Sequence, residues 1–418
     1  MDRIEGLSRR KILKASGTVA IAGLAGCLGG DGGGGGKPDS ITYWDWGDHY
    51  KKPTTWFEKK HGVKIDYQQF PFENYVSKVI SAGSAGNLPD TMNSSVLWVP
   101  RFADQNIVVP LEEHGFKAED YIDAATQNAS YEGKLYAIPT YVDCRLMALN
   151  EKMFKQAGLE IPERTYVPSW DDFEKWATEL NKEFKYGVSL DGGEGFDNFV
   201  LANGGNWVND PKNPTKAIIN NKNGVKTAEY IKSLIDKNVV RMRYEGGSQT
   251  PVDDFTSETA PMAAYVGSWE LADINNKVDA NWRYLPMPKG PNSDSSHSWS
   301  AGNFLLATEQ GNTEWALKWL EFANTERVQK HLLENVGGFP GLKSIYKSDF
   351  FKKFIKKTPN AQTIKQEISN TKAFPRHPKA GDMYTLVHTE VEAIWQGKQK
   401  PQPVLDRIAN EINSMIES

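Results

Sequence analysis

The twenty residues Tyr131–Asn150, YEGKLYAIPTYVDCRLMALN, constrain the fold of this chain more than any other stretch. They open on a polar turn, Glu132-Gly133-Lys134, and continue as β-rich sequence through Leu135, Ile138, Tyr141, Val142, Leu146 and Leu149. Pro139 interrupts the run. Proline cannot donate to a strand ladder, so it predicts a bend or an edge position rather than a buried central strand. Helical sequence follows from Glu151. An apolar run this long, bent in the middle, predicts a segment that leaves one folded unit and enters another.

A second unit is also required by size, because 418 residues exceed what one hydrophobic core accommodates. Around the central stretch the chain alternates strands and helices. Ile41–Trp46 reads as a strand, Lys51–Lys60 as a helix, Val63–Tyr67 as a strand and Thr91–Val99 as another. Ser169 with Asp172 forms a capping box ahead of Phe173, Trp176, Ala177 and Leu180. Pro261–Val266 and Asn303–Ala307 read as strands, Thr313–Ala323 and Glu326–Asn335 as helices, and Tyr284–Ser298 as irregular. Apolar residues from Val404 to Ile416 form one helical stripe. Alternation of this kind predicts parallel βαβ units.

The N-terminus differs in character. Ser8-Arg9-Arg10-Lys11-Ile12-Leu13-Lys14 is basic, Ala15–Gly26 is a short apolar run of small residues, and Leu24-Ala25-Gly26-Cys27 follows. Residues 1–26 fit an export signal better than a membrane span. The twin arginine resembles the leader of the folded-protein export route, and Leu-Ala-Gly-Cys resembles a lipobox whose cysteine, Cys27, is lipidated. Residues 27–38 are Gly-rich and predict a tether; ten such residues span roughly 17–19 Å. The leader carries five Lys/Arg and two Asp/Glu, so the remainder has a net charge of −7. That acidity disfavours nucleic acid as a partner. Cys144 has no partner for a disulfide within the mature chain, and the seven histidines show no metal-ligand spacing. No cofactor motif appears.

Six segments in this order resemble the extracellular solute-binding proteins of ABC transporters, in particular the maltose-binding-like carbohydrate-binding lipoproteins. They are Asn87-Leu-Pro-Asp90, Tyr131–Pro139, Tyr141–Asn150, Ser169-Trp-Asp-Asp-Phe173, Ala202-Asn-Gly-Gly205 and Pro261–Trp269. The resemblance implies an α/β, two-lobe periplasmic-binding-protein type II fold. Each lobe would be a mostly parallel sheet flanked by helices, with three hinge crossings near Tyr141–Arg145, Ser298–Gly302 and Gly337–Leu342. One lobe would hold residues 39–142 plus 301–338, the other 143–300 plus 339–418. It further implies a non-enzymatic monomer outside the cell, anchored through Cys27. Such a protein would bind a sugar by hinge closure and deliver it to ABC permease subunits.

A sugar offers an apolar ring face and vicinal hydroxyls, which call for flat aromatics and planar polar groups. Residues at strand ends are the candidates: Trp44, Trp46, Asp48, Asn93 and Asp143, then Phe196, Trp269, Trp299, Arg376 and Tyr384. A polyamine, glycerol-phosphate or a metal chelate is an alternative ligand. No catalytic motif is present, although the 53 acidic residues supply enough carboxylate pairs to keep a secreted glycoside hydrolase as a further alternative.

Overall fold

The computed structural model describes residues 36–244, 249–279 and 281–418. The leader, Cys27 and most of the Gly-rich segment lie outside the described residues. Thirteen strands are described: β1 (Ser40–Asp45), β2 (Lys64–Gln69), β3 (Thr91–Ser94), β4 (Ser130–Tyr131), β5 (Lys134–Leu135), β6 (Ile138–Asp143), β7 (Arg145–Asn150), β8 (Val188–Asp191), β9 (Val240–Arg243), β10 (Met262–Gly267), β11 (Trp282–Leu285), β12 (Ala301–Ala307) and β13 (Phe339–Pro340).

They form a six-stranded sheet, β13-β6-β12-β3-β1-β2, a five-stranded sheet, β11-β7-β10-β8-β9, and the small hairpin β4-β5. Helices flank both large sheets. The α/β two-sheet architecture stands as expected, but the sheets are mixed rather than mostly parallel. β1 runs parallel to β2 and β3, and β8 runs parallel to β9 and β10, while β12, β6, β13, β7 and β11 pair antiparallel. The crossings cause this. β6 leaves its sheet at Asp143, and β12 re-enters at the same end, with Ala301 opposite Asp143. Two strands that share their crossing end must run in opposite directions.

The stretch around Pro139 departs from the expected edge position: β6 is buried along its whole length and lies between β13 and β12. β6 and β7 are consecutive strands of different sheets, separated only by Cys144. The β6–β12 ladder steps from Asn303↔Tyr141 to Phe304↔Pro139, a bulge at the residue that lacks an N–H. Ser268 fixes the junction: its N–H donates to the Cys144 carbonyl at 3.0 Å, and its Oγ accepts from the Cys144 N–H at 3.2 Å. At the second crossing, Lys372 brackets Trp299, accepting from the Ser300 N–H at 2.9 Å and donating to the Ser298 carbonyl at 2.8 Å.

Several local expectations need adjustment. The third strand stops at Ser94, because Pro100 sits in the first turn of a helix Val99–Asp104, where its missing donor costs nothing. Trp282–Leu285, at the edge of the segment expected to be irregular, is strand β11. Helices Lys343–Lys347, Asp349–Lys357, Pro359–Ile368 and Ala380–Trp395 fill a region that showed no clear pattern. The helices Thr313–Ala323 and Glu326–Asn335 and the Ser169/Asp172 capping box are as expected. Among the described residues no helix is long and apolar enough to cross a membrane, and no cluster of His, Cys, Asp and Glu could hold a metal ion.

Candidate functional site

The C-terminal ends of β1 and β3 present one wall of a cleft. Buried Asp45 organises it, accepting from the Tyr43 and Tyr67 hydroxyls at 2.8 Å each, from Asn93 Nδ2 at 2.9 Å and from the Trp46 N–H at 2.7 Å. With its oxygens engaged, Asp45 fixes the loop carrying Trp46, Gly47 and Asp48. Trp46 packs edge-on against Phe72, Tyr75 and Trp98, with centroids 5.2–5.5 Å apart. Phe72 and Trp98 then face Tyr384, Gly381 and Asp382 across a cavity of about 280 Å³. Arg101 and Asp382 approach to 3.6 Å across it.

The opposite wall centres on Arg145. Its guanidinium donates to Asp143 and lies 4.8 Å from the centroid of Trp269 and 5.9 Å from that of Tyr265. Trp269 folds back over Gly267, where a Cβ would stand 2.3 Å from the ring, so only glycine fits. Tyr265 holds a left-handed backbone, φ 67°, at the bulge where β10 skips register against β7. Trp269, Tyr141 and Asp48 border a second cavity of about 580 Å³.

Glu194 completes the wall. The Asp191 carboxylate accepts from the N–H groups of Gly193 and Glu194 at 3.0 and 2.8 Å, so the helix Glu194–Ala202 starts inside the expected Gly-rich loop. Gly193 allows the close approach of His388, whose side chain a Cβ would meet at 2.6 Å. Tyr384 donates its hydroxyl to Glu194 Oε1.

Burial pushes the Glu194 carboxyl up to about 6, against the lowering pull of Arg145 and His388. Burial likewise raises Asp143 despite Arg145. Arg145 is opposed by its own desolvation but held above its usual value by Asp143 and Glu194. Among the described residues, two buried atoms here have no hydrogen-bond partner: Arg145 Nε and Glu194 Oε2. Although Glu194 is half-buried as a residue, that oxygen is sealed from solvent. A buried donor and a buried acceptor left open in one site are costly unless something else engages them.

Of the ten residues expected at the ligand, the structure brings Trp46, Asp48, Asp143, Trp269 and Tyr384 to these walls. The other five it places elsewhere. Trp44 packs at 5.0 Å on Phe70 and under Lys78, facing the flanking helix. Asn93 spends its amide on Asp45 and on the Ser94 N–H. Phe196 is buried against Trp395, and Trp299, 1% exposed, stacks 4.3 Å from Phe374. Arg376 donates to the carbonyls of Asn128, at 2.9 Å, and Ser130; burial brings its pKa down to about 9. Alternation or helix pitch turns Trp44, Asn93 and Phe196 inward, while partners distant in sequence hold Trp299 and Arg376 outside the strands and helices, none of which residue type alone reveals. Arg145, Glu194, Phe72, Trp98 and Tyr265 were missed. Arg145 had a signal, since it follows Asp143 by two residues and so shares its side of an extended segment.

A third hollow, of about 480 Å³, lies between Ile122–Gln127 and Tyr346, Lys365 and Ile368. Tyr346 is its one ring, so it lacks the convergence of aromatic plates seen around Arg145.

Residues 54–363 match the family described as bacterial extracellular solute-binding protein. The galactooligosaccharide-binding protein of Bacillus subtilis (strain 168) is 22% identical over 372 residues, covering 87% of this chain and 85% of that one. The sn-glycerol-3-phosphate-binding periplasmic protein UgpB of Escherichia coli (strain K12) is 23% identical over 381 residues, covering 84% and 86%. The GacH receptor of Streptomyces glaucescens GLA.O superposes with a TM-score of 0.81 at 20% identity, over 91% of this chain and 98% of that one. At such identities the structural likeness establishes the two-lobe fold. With about three-quarters of its length inside the family match, the chain belongs to the bacterial extracellular solute-binding protein family.

Proposed function

We propose that this protein captures a carbohydrate between its lobes and delivers it to the permease of an ABC importer. The observation that carries the reading is the pairing of open polar atoms with aromatic plates. Arg145 Nε and Glu194 Oε2 stand buried and unmatched beside Trp269 and Tyr384. One offers a proton and the other accepts one, the pair of roles that neighbouring sugar hydroxyls complement, while the rings suit the apolar face of a pyranose. A ligand that touches both walls binds the closed form better and shifts the population toward it.

Relatives named for oligosaccharides support the sugar. Relatives named for glycerol-phosphate supply a second reading. The charges favour the first: Arg145 is already answered by Asp143 and Arg101 by Asp382, which leaves little positive charge for a phosphate.

The proposed lobes follow the sheets. The first holds residues 39–142 plus 301–338 and the second 143–300 plus 339–418, with strand pairing of Asp143 and Phe339–Pro340 moving two boundaries by one or two residues. An export leader over 1–26, a lipid on Cys27, a tether over 27–38 and a monomeric state complete the reading.

A thermal-shift panel of oligosaccharides, polyamines and phosphate esters tests it. Ligand at a hundred times Kd stabilises by about 2.7 kcal/mol. A rise with a polyamine or glycerol-phosphate and none with any sugar refutes the carbohydrate, and appearance of hydrolysis products refutes a pure binding role.

A further inference from the structure

Residues 343–372 contain eight lysines against two acids, Asp349 and Glu367, in a chain of formal net charge −4. Glu367 is buried, which leaves the surface of this segment more basic still. Four of the lysines share the helix Asp349–Lys357. At 3.6 residues per turn, Lys352, Lys353, Lys356 and Lys357 fall within an arc of about 140°, and all four are exposed. Lys347, exposed on the preceding helix, is a fifth. The ion pair Lys352–Asp349, at 3.4 Å, is itself solvent-exposed. Among the described residues, Lys347, Lys353, Lys356 and Lys357 make no ion pair.

The apolar side of the helix is already used. Phe351 and Phe354 meet Phe339 edge-on at 5.9 and 6.4 Å, Tyr346 lies 4.7 Å from Phe351, and Lys330 sits 5.1 Å from the Phe350 ring. This is therefore a helix fastened to the body by one side and presenting on the other four lysines and a single acid, Asp349, which pairs with Lys352.

We propose that this lysine face docks on an anionic lipid bilayer. Three features favour lipid over an acidic protein. The charges are all lysine, hydrated point charges on flexible stems, with no arginine fork to grip a fixed carboxylate. The exposed face has no aromatic or aliphatic anchor of the sort that carries protein–protein binding. And because its apolar side is packed inside the protein, the helix rests on the headgroups without inserting. A fluid anionic surface asks for no more than this, each lysine contributing once within a Debye length of about 8 Å. Docking there would fix which side of the body faces the membrane. The inference is independent of any lipid on Cys27.

The test uses the full chain carrying Cys27→Ser, so that no acyl chain contributes, sedimented with phosphatidylcholine vesicles with and without phosphatidylglycerol. The expected result is preferential partition onto the phosphatidylglycerol vesicles that disappears at raised salt. Converting Lys352, Lys353, Lys356 and Lys357 to Gln reduces it, by about fivefold per lysine at about 1 kcal/mol each. Lysine and glutamine have similar helix propensities, so the variant keeps its fold. A control set with the same charge change, Lys175, Lys182, Lys185 and Lys398 to Gln, leaves partition nearly intact. Equal partition onto both vesicle types, or an equal loss in both variant sets, overturns the proposal.

Discussion

Glu194→Gln tests the electrostatics of the cleft directly. Burial lifts the Glu194 carboxyl from 4.5 to about 6 in the folded, ligand-free protein. Between these values the folded chain holds a proton that the unfolded chain has released. The group's stabilisation is therefore complete below about pH 4.5 and lost as pH rises through about 6. At 1.36 kcal/mol per pH unit, this gap is worth about 2 kcal/mol. Glutamine cannot ionise, so the stability of the variant relative to the parent should climb by about 2 kcal/mol between pH 4.5 and 7. Loss of the contacts with Tyr384 and Arg145 offsets the whole curve without changing its slope. Urea unfolding of the ligand-free proteins across that range measures the difference. Comparison with the variant removes contributions from Glu367, which burial raises to about 7. Calorimetry in buffers of different ionisation enthalpy gives an independent readout. A sugar hydroxyl donating to Oε2 requires the ionised carboxylate, so binding near pH 6 should release about half a proton from the parent and none through this group from the variant. A stability difference that stays flat with pH would refute the assignment of a buried, raised carboxyl at this position.

Other substitutions separate ligand contacts from scaffold. Trp269→Ala should weaken the best ligand of the panel by about tenfold, from the loss of roughly 1–2 kcal/mol of stacking, with little change in the urea midpoint. Trp299→Ala should do the reverse, costing about 3–5 kcal/mol as a core cavity, read as a lowered midpoint. Arg376→Met orphans the Asn128 and Ser130 carbonyls and should cost about 2–4 kcal/mol, while calorimetry on the folded protein finds affinity unchanged. Gly193→Ala drives a Cβ into His388 and should destabilise by about 1–3 kcal/mol, visible in thermal melts.

The parts of the fold that were legible in the sequence are those set by local chemistry. The Ser169/Asp172 box and the helices Thr313–Ala323 and Glu326–Asn335 each follow from a few adjacent residues. Strand direction was not legible, because whether β12 runs with or against β6 depends on a crossing about 160 residues away in sequence. The site divides in the same way. Trp269 was found because it lies immediately after the end of a strand, behind Gly267-Ser268. Trp299 and Phe196 had equally suggestive neighbours, yet partners distant in sequence, Phe374 and Trp395, claim their faces. Glu194 was hidden because a Gly-rich segment reads as loop, and only Asp191 turning back on the chain makes it the start of a helix.

The single residue between β6 and β7 has a consequence for how the molecule can change over time. A loop absorbs insertions and deletions, but Cys144 has a ladder on either side of it. Adding or removing one residue there would turn every side chain of one strand to the opposite face of its sheet. The length of this junction is thus frozen, whereas residues 291–295, ahead of the second crossing, form exposed turns and bends with slack to lengthen or shorten. In a descendant of this protein with altered closure, the change in chain length would be found ahead of the second passage, and the first would differ only in the identity of its residues.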